Sequence, residues 1–143
     1  MKFKEAVTYD DMLLVPQYSD IESRKEVDIG NSLGHRKFRL PIIASPMDTV
    51  SESDMAIAMY QAGALAVLHR YNSIEDQQRM AKTVIEHTGW SGNIAAAIGV
   101  TDDYLKRAEA LVATGVDILC VDVAHGHHSL MRKALTTLRD AFA

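Results

Sequence analysis

MYQAGALAVLH, residues 59–69, ends a helix-like run on a glycine and passes straight into a short apolar strand; LVATGVDILCV, residues 111–121, does the same again. Gly63 and Gly115 stand where a helix closes in the left-handed conformation that glycine adopts without steric cost. The run after each glycine is short and almost continuously apolar, as expected of a strand covered on both faces. Helix, glycine and buried strand, repeated, describe βα units joined by parallel pairing.

The same alternation continues on either side. LPIIAS (40–45) reads as a strand, followed by a helix over SESDMAIAMYQAG with Ser51 or Ser53 available as its N-cap. After ALAVLH (64–69), Ser73 opens a second helix with Asp76 three residues on, and Ile74, Met80, Ala81, Val84 and Ile85 form its apolar stripe. HTGWSG (87–92) is a loop and NIAAAIGV (93–100) a third strand. Thr101 is expected to cap a helix with Asp102 and Asp103 in its first turn and Leu105, Ala108, Leu111 and Val112 buried. VDILCVDV (116–123) is a fourth strand, and Ser129 caps a last helix with Leu130, Ala134, Leu135 and Leu138 inward. Residues 1–40 differ: VDIGNSLGHRKFRL holds two strand-like runs around a Gly-Asn-Ser-Leu-Gly turn, the pattern of a hairpin. The organisation expected is an N-terminal extension and hairpin over 1–40, then one α/β domain of four βα units over 41–143.

At 143 residues, 48% of them hydrophobic and 24% charged, the chain is long enough for a real core. Its net charge of −4 argues against a nucleic-acid binder, and a single cysteine excludes an internal disulfide framework and fits a reducing, cytoplasmic setting. No apolar run approaches 18 residues, so neither a leader nor a membrane partner is expected.

Tandem βα units suit a small open sheet or part of an eight-unit barrel, and in both the chemistry gathers at the C-terminal ends of the strands. Those ends read SPMDTV (45–50), HRYNS (69–73), GVTDD (99–103) and DVAHGHHS (122–129), all polar or glycine-bearing, while the opposite ends are plain. Asp122, His125, His127 and His128 offer zinc-type donors, but their spacing fits no standard ligand pattern. A glycine between strand and helix also lets the backbone approach a ligand, and a solvated polar loop is the third reading. Asp48 and Ser51 are equally suited to capping a helix as to a site. Arg70 is either a surface residue or a planar fork for a phosphate. Cys120 lies within a strand and reads as packing rather than as a nucleophile.

Four stretches together resemble the IMP dehydrogenase and GMP reductase family: TYDDMLLVPQYSDIESRKEVD (8–28), LPIIASPMDTV (40–50), MAIAMYQAGALAVLHRYNSIEDQ (55–77) and VDILCVDVAHGHH (116–128). The resemblance implies a (β/α)8 TIM-barrel type fold, of which this chain holds the first four βα units behind a hairpin. It implies a purine mononucleotide substrate and NADP or NAD as cofactor. Ser45 and Met47 would face the nucleotide, and Asp122, Val123 and Ala124 would line the dinucleotide near its nicotinamide. Arg70 matches a position that contacts the cofactor, and Ser23 and Arg24 match a segment that in GMP reductases reaches a neighbouring subunit's cofactor. No metal ligand is implied. The family's nucleophilic cysteine follows the sixth strand, so no catalytic residue is expected within this chain. A homo-oligomer (a tetramer in the family) or a complementary C-terminal half is the partner implied. The short HTGWSG loop, SRKEVD and VDVA favour the reductase, which converts GMP and NADPH to IMP, ammonia and NADP. SPMDTVSE and MAIAM favour the dehydrogenase, which converts IMP, NAD and water to XMP and NADH. A non-catalytic nucleotide-binding half-barrel is the alternative of another class.

Overall fold

The computed structural model describes residues 3–89 and 93–142. After two short 3-10 turns, a hairpin pairs β1 (Asn31–Leu33) with β2 (Arg36–Phe38) antiparallel. Four βα units follow: β3 (Ile43–Ala44) and α1 (Ser53–Ala62), β4 (Leu65–Leu68) and α2 (Ile74–Thr88), β5 (Ala95–Ile98) and α3 (Tyr104–Thr114), β6 (Ile118–Val121) and α4 (Ser129–Phe142). The four later strands form one sheet in sequential order, β3-β4-β5-β6, every pair parallel.

Alternation along the strands sorts two faces. Ala66, Leu68, Ala96 and Ile98 look toward the helices and pack with Ala56 of α1, Val84 and Ile85 of α2, Leu111 of α3 and Leu138 of α4. Leu65, Val67, Ala95 and Ala97 look the other way, into a smaller cluster with Ile118, Cys120 and Phe38 of the hairpin. All four helices therefore serve one face of the sheet, whereas a doubly wound sheet carries helices on both.

Gly63 closes α1 at a φ of +82°, and a Cβ there would stand 2.8 Å from Arg39 Nε. Conformation and space both demand glycine at this helix-to-strand passage. The hairpin in turn secures the N-terminal end of the sheet. Arg36 donates to Asn93 Oδ1 at 2.9 Å and pairs with the Asp117 carboxylate at 2.7 Å, while that carboxylate accepts from the backbone N–H groups of Asn93 and Ile94. One end of the sheet is thus closed by a polar clasp above Phe38, and the C-terminal ends stay free.

Helix starts depart from expectation in three places. Glu52, not a serine, precedes α1, and no side chain caps it. Ser51 is fully buried and donates to the Ser45 carbonyl, while Ser53 Oγ donates to the Met80 carbonyl at 3.2 Å, so both hydroxyls tie elements together instead. α3 begins after Asp103 rather than after Thr101, because Asp102 turns through a φ of +56°, and the Thr101 hydroxyl donates to Asp102. At α4, His128 does the work expected of Ser129: its Nδ1 accepts from the Leu130 N–H at 3.1 Å and its carbonyl from the Arg132 N–H at 3.3 Å. Ser73 does cap α2 as read, accepting from the Asp76 N–H at 3.0 Å.

Val112, Leu130 and Leu135 are exposed rather than inward. They lie on the flanks of α3 and α4 where, among the described residues, no further helix stands over them. The HTGWSG reading falls partly on residues 90–92, which lie outside the described residues. No helix among the described residues is long and apolar enough to cross a membrane.

Candidate functional site

The free ends of β3, β4 and β6 bring most of the expected site residues to one side of the molecule. Ser45 and Met47 leave β3 exposed, in a turn stapled by the Met47 N–H on the Ser45 carbonyl (2.8 Å) and by the Ser51 hydroxyl on the same oxygen. Thr49 within that turn has a φ of +60°. For a β-branched residue this region costs on the order of 1 kcal/mol or more, and such strain tends to mark shaped sites.

Arg70 and Asp122 meet across the ends of β4 and β6. The Arg70 Nη2 donates to the Asp122 carbonyl at 3.1 Å, and its Nε lies 3.4 Å from the Asp122 carboxylate. That buried Nε makes no hydrogen bond. The guanidinium also lies over the Tyr71 ring, 5.5 Å from its centroid, a cation–π distance. Arg70, Gly99, Thr101, Arg107, Val123 and Ala124 line a cavity of about 290 Å³ at this point. A wider groove of about 680 Å³ follows α4 from Gly126 to Arg139, but exposed side chains of a single helix and its leading turn line it. The smaller cavity, walled by three strand ends, is the better-built site.

Four expected residues, Arg70, Asp122, Val123 and Ala124, therefore come together. Ser45 and Met47 stand on the neighbouring turn, outside that cavity. Ser23 and Arg24 stay apart from it, in a 3-10 turn where the Ser23 hydroxyl accepts from the Lys25 N–H at 3.3 Å.

Two arrangements were not legible beforehand. Gln77 of α2 is fully buried and donates to the carbonyls of Leu68 (3.4 Å) and Ala97 (2.9 Å), the ends of β4 and β5. Arg107 of α3 donates in turn to Gln77 Oε1 (2.9 Å), the Asn72 carbonyl (3.1 Å) and Asp103 (3.2 Å). A glutamine in the apolar stripe of α2 was the only signal, and pattern alone does not show what it bridges.

The second is a cluster of Asp48, Glu52 and His69, whose donor atoms all lie within 4.8 Å of one another. His69 Nε2 faces Glu52 at 3.4 Å and Asp48 at 3.8 Å, while its Nδ1 accepts from the Tyr71 N–H at 3.2 Å. An atom accepting an N–H carries no proton, so the imidazole proton sits on Nε2 and points at the carboxylates. A metal at Nε2 would need the opposite tautomer. The arrangement is a hydrogen-bond donor held by two acids. The histidine turn at 125–128 likewise gives His128 to helix capping and leaves His125 and His127 exposed.

Cys120 is half-buried among Leu65, Val67, Ala95 and Ala97. Burial pushes its thiol pKa up, and the nearby Asp122 charge pushes the same way, so it is a poor thiolate and packs as expected.

The inosine-5'-monophosphate dehydrogenase of Nitrosopumilus maritimus (strain SCM1) is 46% identical over 78 residues, covering 54% of this chain and 16% of that protein. The GMP reductase of Leishmania major is 44% identical over 140 residues, covering 80% of this chain and 28% of its own length. The GMP reductase of Lactobacillus gasseri is 31% identical over 140 residues, covering 95% and 41%. The chain thus spans between 16% and 41% of the length of these curated relatives. The family model described as IMP dehydrogenase / GMP reductase domain matches residues 6–143, through the hairpin and all four βα units, and the chain belongs to that family.

Proposed function

We propose that this chain forms the nucleotide-handling first half of a (β/α)8 barrel in an NAD(P)-linked oxidoreductase acting at C2 of a purine mononucleotide, of GMP reductase type. Sequential parallel strands with helices on one face alone support the barrel, since the bare face is the one a closed barrel fills with its own side chains. In this reading the domain runs over 41–143 and the segment 1–40 is its extension and hairpin.

The observation that carries the functional reading is the Arg70–Asp122 pair at the mouth of the sheet. Asp122 anchors Arg70 through its carbonyl and carboxylate, and fixes the guanidinium in the wall of a cavity that Val123 and Ala124 also line. A guanidinium held in place at a strand-end cavity suits a polar ligand edge such as the nicotinamide ribose or carboxamide of NADPH. The cavity is too small for a whole dinucleotide, so this chain holds one part of it. Ser45 and Met47 face the purine nucleotide, and Ser23 and Arg24 reach the cofactor of a neighbouring copy in an oligomer.

NAD(P)H, when bound, supplies the hydride. The share of this chain is to hold the two ligands in near-attack geometry, an effect of orientation. The covalent nucleophile that this chemistry uses at C2 is not Cys120, which is half-buried and resists ionisation. The reductase direction is favoured because the GMP reductase relatives align over 80% to 95% of the chain. IMP dehydrogenase is the second reading, on matches of 43% to 46% identity over 54% to 58% of the chain, against 31% to 44% for the reductases.

Fluorescence titration of this chain with NADPH tests the reading. Arg70→Ala and Asp122→Ala are each expected to weaken binding by about tenfold, the loss of one good polar contact, with circular dichroism unchanged. Absence of NADPH binding by the unaltered chain, or unfolding of Asp122→Ala, would overturn it. Turnover of GMP by this chain alone would exclude the binding-only alternative.

A further inference from the structure

We propose that His69 is a positioning residue that makes the nucleotide-facing turn (45–51) and the cofactor-facing turn (70–71) move as one unit. The inference rests on the nucleotide reading above for what the two turns hold, but the coupling itself is a property of the free protein.

His69 follows the last residue of β4 and is 3% exposed, an unusual place for a histidine beside an open mouth. Its polar groups are divided between two turns. Its backbone N–H donates to the Ser51 carbonyl at 3.2 Å, and the Ser51 hydroxyl holds the Ser45 carbonyl. Its Nε2–H points at Asp48 within that turn and at Glu52, which follows Ser51 at the start of α1. Its Nδ1 accepts the Tyr71 N–H at 3.2 Å, and its ring stacks on Tyr71 with centroids 6.2 Å apart.

Tyr71 in turn lies under the Arg70 guanidinium, which grips Asp122. A continuous chain of contacts thus runs from Ser45 through Ser51, His69, Tyr71 and Arg70 to Asp122. Only one imidazole tautomer satisfies both sides, because Nδ1 must be bare for Tyr71 and Nε2 protonated for the acids. A shift of either turn breaks a hydrogen bond to the same buried ring. The ring therefore transmits displacement, as a two-sided support does in a coupled network.

Asparagine and glutamine separate the two sides. The Asn side-chain oxygen can occupy the place of Nδ1, and the Gln side-chain nitrogen the place of Nε2. Amide hydrogen exchange on the free chain reads the network without any ligand. In His69→Ala, the amides of Val50, Ser51 and Tyr71 are expected to lose protection together, each by about tenfold or more, while β5 amides keep theirs. His69→Asn should restore Tyr71 alone, and His69→Gln should restore Val50 and Ser51 alone. Loss at Tyr71 without change at Val50 and Ser51 would overturn the coupling. So would loss spread equally through β5, which marks a merely structural residue; if His69→Ala fails to fold, the Asn and Gln variants decide in the same way.

A second measurement reads the functional consequence. In the unaltered chain GMP should tighten NADPH binding several-fold, and in His69→Ala that factor should fall to one. A chain that binds neither ligand overturns the nucleotide reading, while the exchange result still decides the coupling. Linkage undiminished in His69→Ala overturns the coupling with the nucleotide reading intact.

Discussion

Single residues show how far environment reassigns a side chain. Cys120 reads as packing from its place in a strand, and its half-buried position among alanines, leucine and valine agrees. Burial first, then the Asp122 charge, raises its thiol pKa above the ordinary 9.0. The folded protein then holds the proton longer than the unfolded chain does. The stabilisation is complete below the ordinary thiol value and is lost as pH rises through the raised native one. Reaction with a chromogenic disulfide at pH 7 should be about tenfold slower or more in the native chain than in urea, and Asp122→Asn should speed it by lowering the thiol pKa. A native rate matching the unfolded one would contradict the assigned burial. Histidines tell a different story. The cluster at 125–128 drew attention by its composition, yet the histidine with most partners is His69, a lone residue at the end of an apolar run. Sequence shows which donors exist; it does not show which two turns a buried ring will touch.

At the scale of elements, what was legible is what local chemistry decides. The Ser73 cap follows from a hydroxyl placed just before an amphipathic stripe, and its replacement by alanine should cost about 1 kcal/mol in urea unfolding. The Ser73 hydroxyl, and after it Arg79, hold the Asp76 carboxyl below its ordinary value of 3.8. That contribution is present above the unfolded value and is lost as pH falls through the lowered one; in Ser73→Ala a carbon-detected titration should find Asp76 moved back up. At α1 and α3 the expected hydroxyls have other partners: Ser53 holds the Met80 carbonyl of α2, Ser51 the Ser45 carbonyl of its own turn, and Thr101 the adjacent Asp102. At α4 the His128 ring takes the capping place instead. Gln77 is the extreme case, a polar side chain in a helix stripe that bridges two strand ends and a buried arginine. Gln77→Leu leaves an Arg107 N–H and the Ala97 carbonyl short of partners in a dry site, and should lower stability by about 3 kcal/mol, read as a shifted urea midpoint. A change below about 1 kcal/mol would mean that water replaces the amide.

Across the whole molecule, the outer edges of β3 and β6 carry no strand neighbour among the described residues. Tyr9, Leu13, Leu14 and Tyr18 are each more than nine-tenths exposed. Open parallel edges and bare apolar side chains invite association, so the chain should self-associate with rising concentration in analytical ultracentrifugation. A monodisperse monomer at high concentration would count against the half-barrel reading. The sequence by itself determined the four βα units, the glycine passages between helix and strand, the hairpin before them, and which strand ends are polar or glycine-bearing. Each of these depends on periodicity, on φ-space or on alternation, which are properties of neighbours along the chain. Only the tertiary structure decided that all four helices share one face, that Arg36 and Asp117 clasp one end of the sheet, and that Arg70 meets Asp122 at the other. The reason is physical: these contacts join residues 52 to 81 positions apart, and their partners are set by how strands stack in space. No local preference encodes that distance.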